Sequence, residues 1–249
     1  MSRCSSFMGK LGAIASVAAV AVSLVGLPGT ASATPTFDVF GPLPGTLGSP
    51  NEQAAQSLFG QFFDGFLGLS VTARASSPAV SDDGAGTYFA EPGSNNGGQS
   101  TTWDFNVYAA GPGNATFADI IFELRYDLDP GRDTPESQLG TVNLNGALGT
   151  PGAPAQVIAG FNLLDNVFRI GTVPGIITPP TFRDFDADAL GEYSFILAAS
   201  TPSNNELARV AIDVNVGLPE STTLPEPATL ALFGLGLAGL AVAQRRRLR

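Results

Sequence analysis

The chain of 249 residues contains no histidine, and its one cysteine, Cys4, stands near the N-terminus. Lack of histidine excludes Ser-His-Asp and Cys-His nucleophile arrangements and the histidine-rich zinc and copper sites. With no cysteine after position 4, no disulfide crosslinks the rest of the chain, so its stability rests on core packing and hydrogen bonds. Basic residues are also scarce. Between residues 34 and 224 there is no lysine, and six arginines face 21 carboxylates, a net charge of −15. A field of that sign repels nucleic acid phosphates and anionic membrane surfaces, so no nucleic acid is expected as a partner. Long apolar runs are missing from the same span and occur only near the two ends.

At the first of these ends, Arg3 and Lys10 precede an apolar stretch from Leu11 to Leu27, and Ala31-Ser32-Ala33 supplies the small-x-small pattern that a signal peptidase accepts. Residues 1–33 therefore read as a signal peptide cut before Thr34. The alternative, a permanent N-terminal anchor, leaves that pattern of small residues unexplained. Cys4 precedes the run, so it does not occupy the lipid-attachment position of a bacterial lipoprotein.

At the other end, Pro225-Glu226-Pro227 leads into an apolar run from Ala228 to Ala243, followed by Gln244 and then Arg245, Arg246, Arg247, Leu248 and Arg249. The run holds 16 residues. As a helix it is about 24 Å long, against about 30 Å of bilayer hydrocarbon. It reads as a short transmembrane helix, its deficit reduced by Leu224, by snorkelling arginines and by local thinning of the bilayer. The arginines place their end in the cytoplasm and residues 34–224 outside, the topology that the signal peptide also predicts. Gly234, Gly236 and Gly239 have the spacing of a dinucleotide-binding loop, but no strand-turn-helix unit surrounds them. Small residues that let a membrane helix pack closely account for them better.

Leu224-Pro225-Glu226-Pro227, the segment Leu230 to Leu240 and the stop Arg245, Arg246, Arg247 together resemble the PEP-CTERM sorting signal of Gram-negative bacteria. The resemblance covers residues 224–249, with its three elements in order. It implies processing by an exosortase, a membrane-embedded cysteine transpeptidase or protease, often in organisms that produce exopolysaccharide. The chain would then be a substrate of that enzyme, held in the inner membrane transiently and passed to the cell surface or extracellular matrix. Signal peptidase and exosortase are its expected processing partners, with exopolysaccharide a possible third. Phe37 to Gly41, Asp83 to Tyr88 and Leu190 to Phe195 also resemble stretches in the ectodomains of some PEP-CTERM proteins, which implies a β-rich surface module and names no substrate.

Residues 34–216 are long enough for one domain with a core of its own, and 217–224 form a polar linker to the sorting signal at 225–249. The domain is expected to be mainly β, an antiparallel β-sandwich, Ig-like or jelly-roll-like, with one short helix. Its strands announce themselves by a period of two residues. Thr101, Trp103, Phe105 and Val107 share one face, as do Ile120, Phe122, Leu124 and Tyr126. Tyr193, Phe195, Leu197 and Ala199 predict a strand that turns through Ser200 to Glu206 and returns along Val210, Ile212, Val214 and Val216. Further strands are predicted at 67–75, 87–90, 139–145, 157–164 and 167–171. Ser49-Pro50-Asn51-Glu52 combines an N-cap serine, an N1 proline and an N3 glutamate, and Ala55, Leu58, Phe59, Phe62 and Phe66 follow at helical spacing. This predicts a helix ending near Asp64-Gly65. The alternative, given Gly60 and the density of phenylalanine, is a loop leading into a strand.

Chemistry is sparse. Asp127, Asp129 and Asp133 stand at alternate positions after a predicted strand, where a turn would gather oxygens for Ca²⁺. The spacing departs from an EF-hand loop, which wants Gly and Glu where this chain has Arg132 and Gln138. Asp184, Asp186 and Asp188 form a second cluster, which requires a solvated or metal-bound loop to avoid mutual repulsion. No cofactor beyond a possible Ca²⁺ is expected. A carboxylate pair acting as a glycosidase is the remaining enzyme option, and none of the 21 carboxylates is set apart for it. The chain is therefore expected not to be an enzyme, with no catalytic residues, and to act as a surface or biofilm structural protein. A carbohydrate-binding or calcium-dependent adhesive module is the alternative, with Trp103 and Tyr108 as the aromatics for sugar stacking and a core position for Trp103 as the competing assignment.

Overall fold

A computed structural model describes residues 34–43, 52–61, 64–95, 97–150 and 152–218. The expected signal peptide at residues 1–33, the expected helix cap at Ser49 to Asn51, the motif Pro225, Glu226 and Pro227, the apolar run expected to span the membrane and the expected stop Arg245, Arg246 and Arg247 lie outside the described residues. No helix among the described residues is long and apolar enough to cross a membrane.

Fourteen strands run through the described residues: β1 (Val39–Pro42), β2 (Gln53–Phe59), β3 (Gly65–Ala73), β4 (Ser81–Asp82), β5 (Thr87–Ala90), β6 (Ser94–Asn95), β7 (Ser100–Thr101), β8 (Trp103–Ala110), β9 (Ile121–Tyr126), β10 (Gly140–Asn143), β11 (Gln156–Phe161), β12 (Ile177–Thr178), β13 (Gly191–Ser200) and β14 (Glu206–Val216). Two short helices accompany them, α1 (Leu144–Leu148) and α2 (Asn166–Arg169). One sheet has the order β1-β2-β3-β8-β11 and a second the order β12-β10-β9-β13-β14-β5-β4, while β6 and β7 pair separately. All pairings are antiparallel except that of β14 with β5.

Both large sheets turn one face into a common apolar core. Its centre follows from the alternation in β8 and β13: Phe105 stacks on Phe195 with centroids 4.4 Å apart, and the Trp103 ring meets Phe195 edge-on at 6.2 Å. Phe122, Leu124 and Tyr126 from β9 and Val210, Ile212 and Val214 from β14 extend the same layer. The long hairpin runs in register from Gly191 opposite Val216 to Ala199 opposite Ala208, then shifts at Ser200. Its turn and both apolar faces match the predicted hairpin.

Three predicted elements are corrected. Residues 53–59, expected as part of a helix, are the strand β2, which pairs with β3 through a turn at Gly60, where φ is +91°. The helical spacing of the apolar residues arises because both faces of these strands are largely covered. Ala55 and Phe59 enter the common core, whereas Ala54 and Phe66 pack with Leu43 and Tyr108 on the opposite face. Apolar residues on both parities erase the two-residue signal. The strand predicted at 167–171 is instead α2, whose Phe168 closes the core between Phe105, Phe161 and Tyr126. The predicted strand at 139–145 ends at Asn143, whose side chain accepts a hydrogen bond from Gly146 N and starts α1. The single expected helix is thus replaced by two short ones at other positions.

Candidate functional site

The outer face of the seven-stranded sheet carries a row of polar side chains that follows from strand register. Ser194 in β13 lies opposite Asp213 in β14, and Asp127, just past the end of β9, donates its N–H to Ser194 O at 3.0 Å. Even-numbered residues of β13 therefore leave the core, and Ser194, Asp213, Asn215 and Glu192 share one exterior surface. That surface is not open to water. Segment 127–139 doubles back across it, so Ser194 and Asp127 are buried and Asp213 and Asn215 nearly so.

The segment is fastened at both ends. At one, Pro130 O accepts from Glu192 N at 3.3 Å, against a glycine, Gly191, that leaves room for the crossing. A Cβ at Gly191 would stand 2.3 Å from Pro130 O. At the other, the Glu136 carboxylate accepts from Arg125 of β9 at 2.9 Å and from Arg209 of β14 at 2.6 Å. Leu139 packs with Ile196 and Ala211 beneath it. Glu136 thus ties the strap to two strands that flank β13.

Between these fastenings lie the two buried carboxyls. Asp213 accepts the Ser194 hydroxyl at 2.7 Å. Burial pushes its carboxyl up to about 7, and the nearby charges of Glu192, Asp133 and Asp127 push in the same direction against the lowering effect of Ser194. Burial likewise pushes Asp127 up to about 6. Asp127 Oδ1 accepts from Asp129 N at 2.9 Å, while Asp127 Oδ2 finds no hydrogen-bond partner among the described residues.

The three sequence-predicted metal ligands are therefore placed as follows. Asp127 begins the strap and has its side chain buried, Asp129 closes a second turn by accepting from Gly131 N at 2.9 Å, and Asp133 donates its backbone N–H to Glu192 Oε1 at 3.2 Å. Among the described residues no group of three or more carboxylates is arranged to hold a metal ion. In the second acidic cluster, Asp186 Oδ1 accepts from Asp188 N at 2.9 Å, and Asp184, Asp186 and Asp188 are exposed in a loop.

A second polar centre, which sequence reasoning missed, lies on the outer face of the five-stranded sheet. Glu52 Oε1 accepts from Asn106 Nδ2 and Tyr108 OH, each at 2.9 Å, and from the Ser70 hydroxyl. The donors come from β3 and β8, so only their even parity within each strand signals that they share a face. Burial and the Glu52 charge hold the Tyr108 phenol well above its usual range. Neither aromatic predicted for sugar stacking is presented to solvent. Trp103 is 2% exposed in the core, and Tyr108 is 6% exposed and engaged with Glu52.

β14 ends at Val216, and Gly217, with φ +62°, donates its N–H to Ala90 O at 2.8 Å. A few residues further on, residues 223–247 match the family model of the PEP-CTERM protein-sorting motif. The tail carries a PEP-CTERM sorting signal. Its bounds include Pro225, Glu226 and Pro227, the apolar run and Arg245, Arg246 and Arg247. A PEP-CTERM signal implies export, sorting to the cell surface and processing by an exosortase. Comparison with curated proteins returned no match.

Proposed function

We propose that the protein is a non-catalytic β-sandwich delivered to the cell surface or extracellular matrix, where it serves as a structural component in a biofilm or exopolysaccharide setting. The PEP-CTERM signal at residues 223–247 carries this reading. Signal peptidase removes residues 1–33, the run 228–243 holds the chain in the inner membrane, and the exosortase acts at Pro225-Glu226-Pro227. The domain then leaves with its linker. Its acidity suits a matrix environment, where like charge keeps neighbouring copies soluble.

Replacing Pro225, Glu226 and Pro227 together with alanine tests the reading in cells. The expected result is a chain that accumulates in the membrane fraction with its arginines intact, and loss of the released form. Release at the wild-type level would refute processing at this motif. Failure of a deletion strain to alter the amount or cohesion of its matrix would refute the structural role.

A further inference from the structure

The two large sheets have four edges, and three of them are blunted. β1 follows Asp38 and ends in Pro42, β4 is two residues long and contains Asp82, and β12 is two residues long and is followed by Pro179 and Pro180. Proline, charge and shortness are the usual means by which a sheet edge avoids pairing with another chain. The fourth edge, β11, uses none of them. It runs in unbroken register with β8 over six residues, Gln156–Phe161, and no charged residue occurs from Gly152 to Leu164.

Register fixes which backbone groups of β11 are free. Gly111 donates to Ala155 O, which sets the bonded pairs between these strands at odd-numbered positions of β11. Val157, Ala159 and Phe161 therefore turn their N–H and C=O groups to β8, and Ile158 and Gly160 turn theirs outward. Both are exposed, Ile158 to 51%, and neither outward group has a backbone partner among the described residues.

We propose that β11 pairs antiparallel with β11 of a second copy of this chain, joining two five-stranded sheets into one continuous sheet. The segment complements itself. Centring the pair on Ala159 sets Ile158 opposite Gly160 of the second copy, so a bulky exposed side chain meets a bare position on the same face. The same register sets Val157 opposite Phe161 and lets the outward groups of Ile158 and Gly160 exchange hydrogen bonds. The self-complementary register selects the second copy's own β11 as the occupant, and with no charged residue from Gly152 to Leu164 no local charge opposes the approach of the two backbones to strand spacing, about 4.8 Å. The symmetry is that of an isologous two-fold contact. This inference stands independently of how the tail is processed.

The full chain in detergent, examined by sedimentation equilibrium, tests it with two variants. Ile158→Pro removes an outward N–H that β8 does not use, and Ile158→Lys places charge on the edge. The wild-type chain is expected to dimerise, and both variants to weaken the dimer at least about tenfold, with melting and the far-ultraviolet β signature retained. A monomeric wild-type chain at the highest concentration reached would overturn the proposal. So would dimers of equal strength in both variants, which would assign association to the tail. If Ile158→Pro fails to fold, Ile158→Lys decides alone by the same criterion.

Discussion

The Ser194 hydroxyl donates to the Asp213 carboxyl at 2.7 Å, beneath a strap of chain that keeps both from water. A carboxyl in that position holds its proton longer than it does in an unfolded chain. Asp213 is raised to about 7 and Asp127 to about 6, each chiefly by burial. In the unfolded chain both release their protons near the ordinary carboxylate value, about 3.9. Between about pH 4 and pH 7 the unfolded state therefore binds fewer protons than the folded one, and stability falls as pH rises. Their contribution is fully present below the unfolded value and is lost once pH passes the folded one. The expected loss is on the order of 4 kcal/mol from Asp213 and on the order of 3 kcal/mol from Asp127. Thermal unfolding from pH 4 to pH 8 should show the decline, and Asp213→Asn should flatten it. A wild-type melting temperature that rises across this window would contradict the assignment.

Glu136 bridges Arg125 and Arg209, each between a quarter and a third exposed. Partial exposure limits the value of such pairs, so Glu136→Gln is expected to cost about 1 kcal/mol. The effect should shrink in high salt. Urea unfolding at low and high ionic strength measures both, and a salt-independent loss would mean that Glu136 acts by packing alone.

Gly191 lies where the strap crosses β13. The collision of a Cβ at Gly191 is with backbone, Pro130 O, which has no rotamer by which to move aside. Gly191→Ala should therefore cost about 2 kcal/mol or more. Limited proteolysis would locate the damage, with cleavage appearing within residues 127–139 before the core opens. Unchanged stability would show that the strap shifts freely.

The stacked pair Phe105 and Phe195 sits at the junction of the two sheets. Phe195→Ala should cost about 3–5 kcal/mol through lost burial and a residual cavity, and Phe195→Leu distinctly less. Chemical denaturation distinguishes them. Equal costs would place the pair's importance in its ring geometry instead of its volume.

Legibility in the sequence followed the difference in polarity between the two faces of a strand. Strands β8, β9, β13 and β14 were readable because most of their length covers the core on one side and meets polar groups on the other, as in Trp103, Phe105 and Val107 against Asp104 and Asn106. β2 and the start of β3 were not, because Phe59 and Phe66 serve opposite faces and together imitate a helical stripe. The segment around Phe168 misled for a different reason. Its apolar residues plug an end of the core, a role that a strand pattern and a short helix serve equally well. Asp127 and Asp129 were singled out for their spacing, yet what distinguishes the site is the approach of Asp127 to Ser194 and Asp213 from other strands, a long-range fact. The Glu52 centre needed the same information. The sorting signal needed none, since its meaning lies in the linear order of motif, apolar run and arginines.

Intact mass analysis of the protein released from the cell surface tests sorting and processing together. The expected species starts at Thr34 and ends within or beside Pro225-Glu226-Pro227, allowing for any group transferred to the new C-terminus. A released chain that still contains Arg249 would contradict the account.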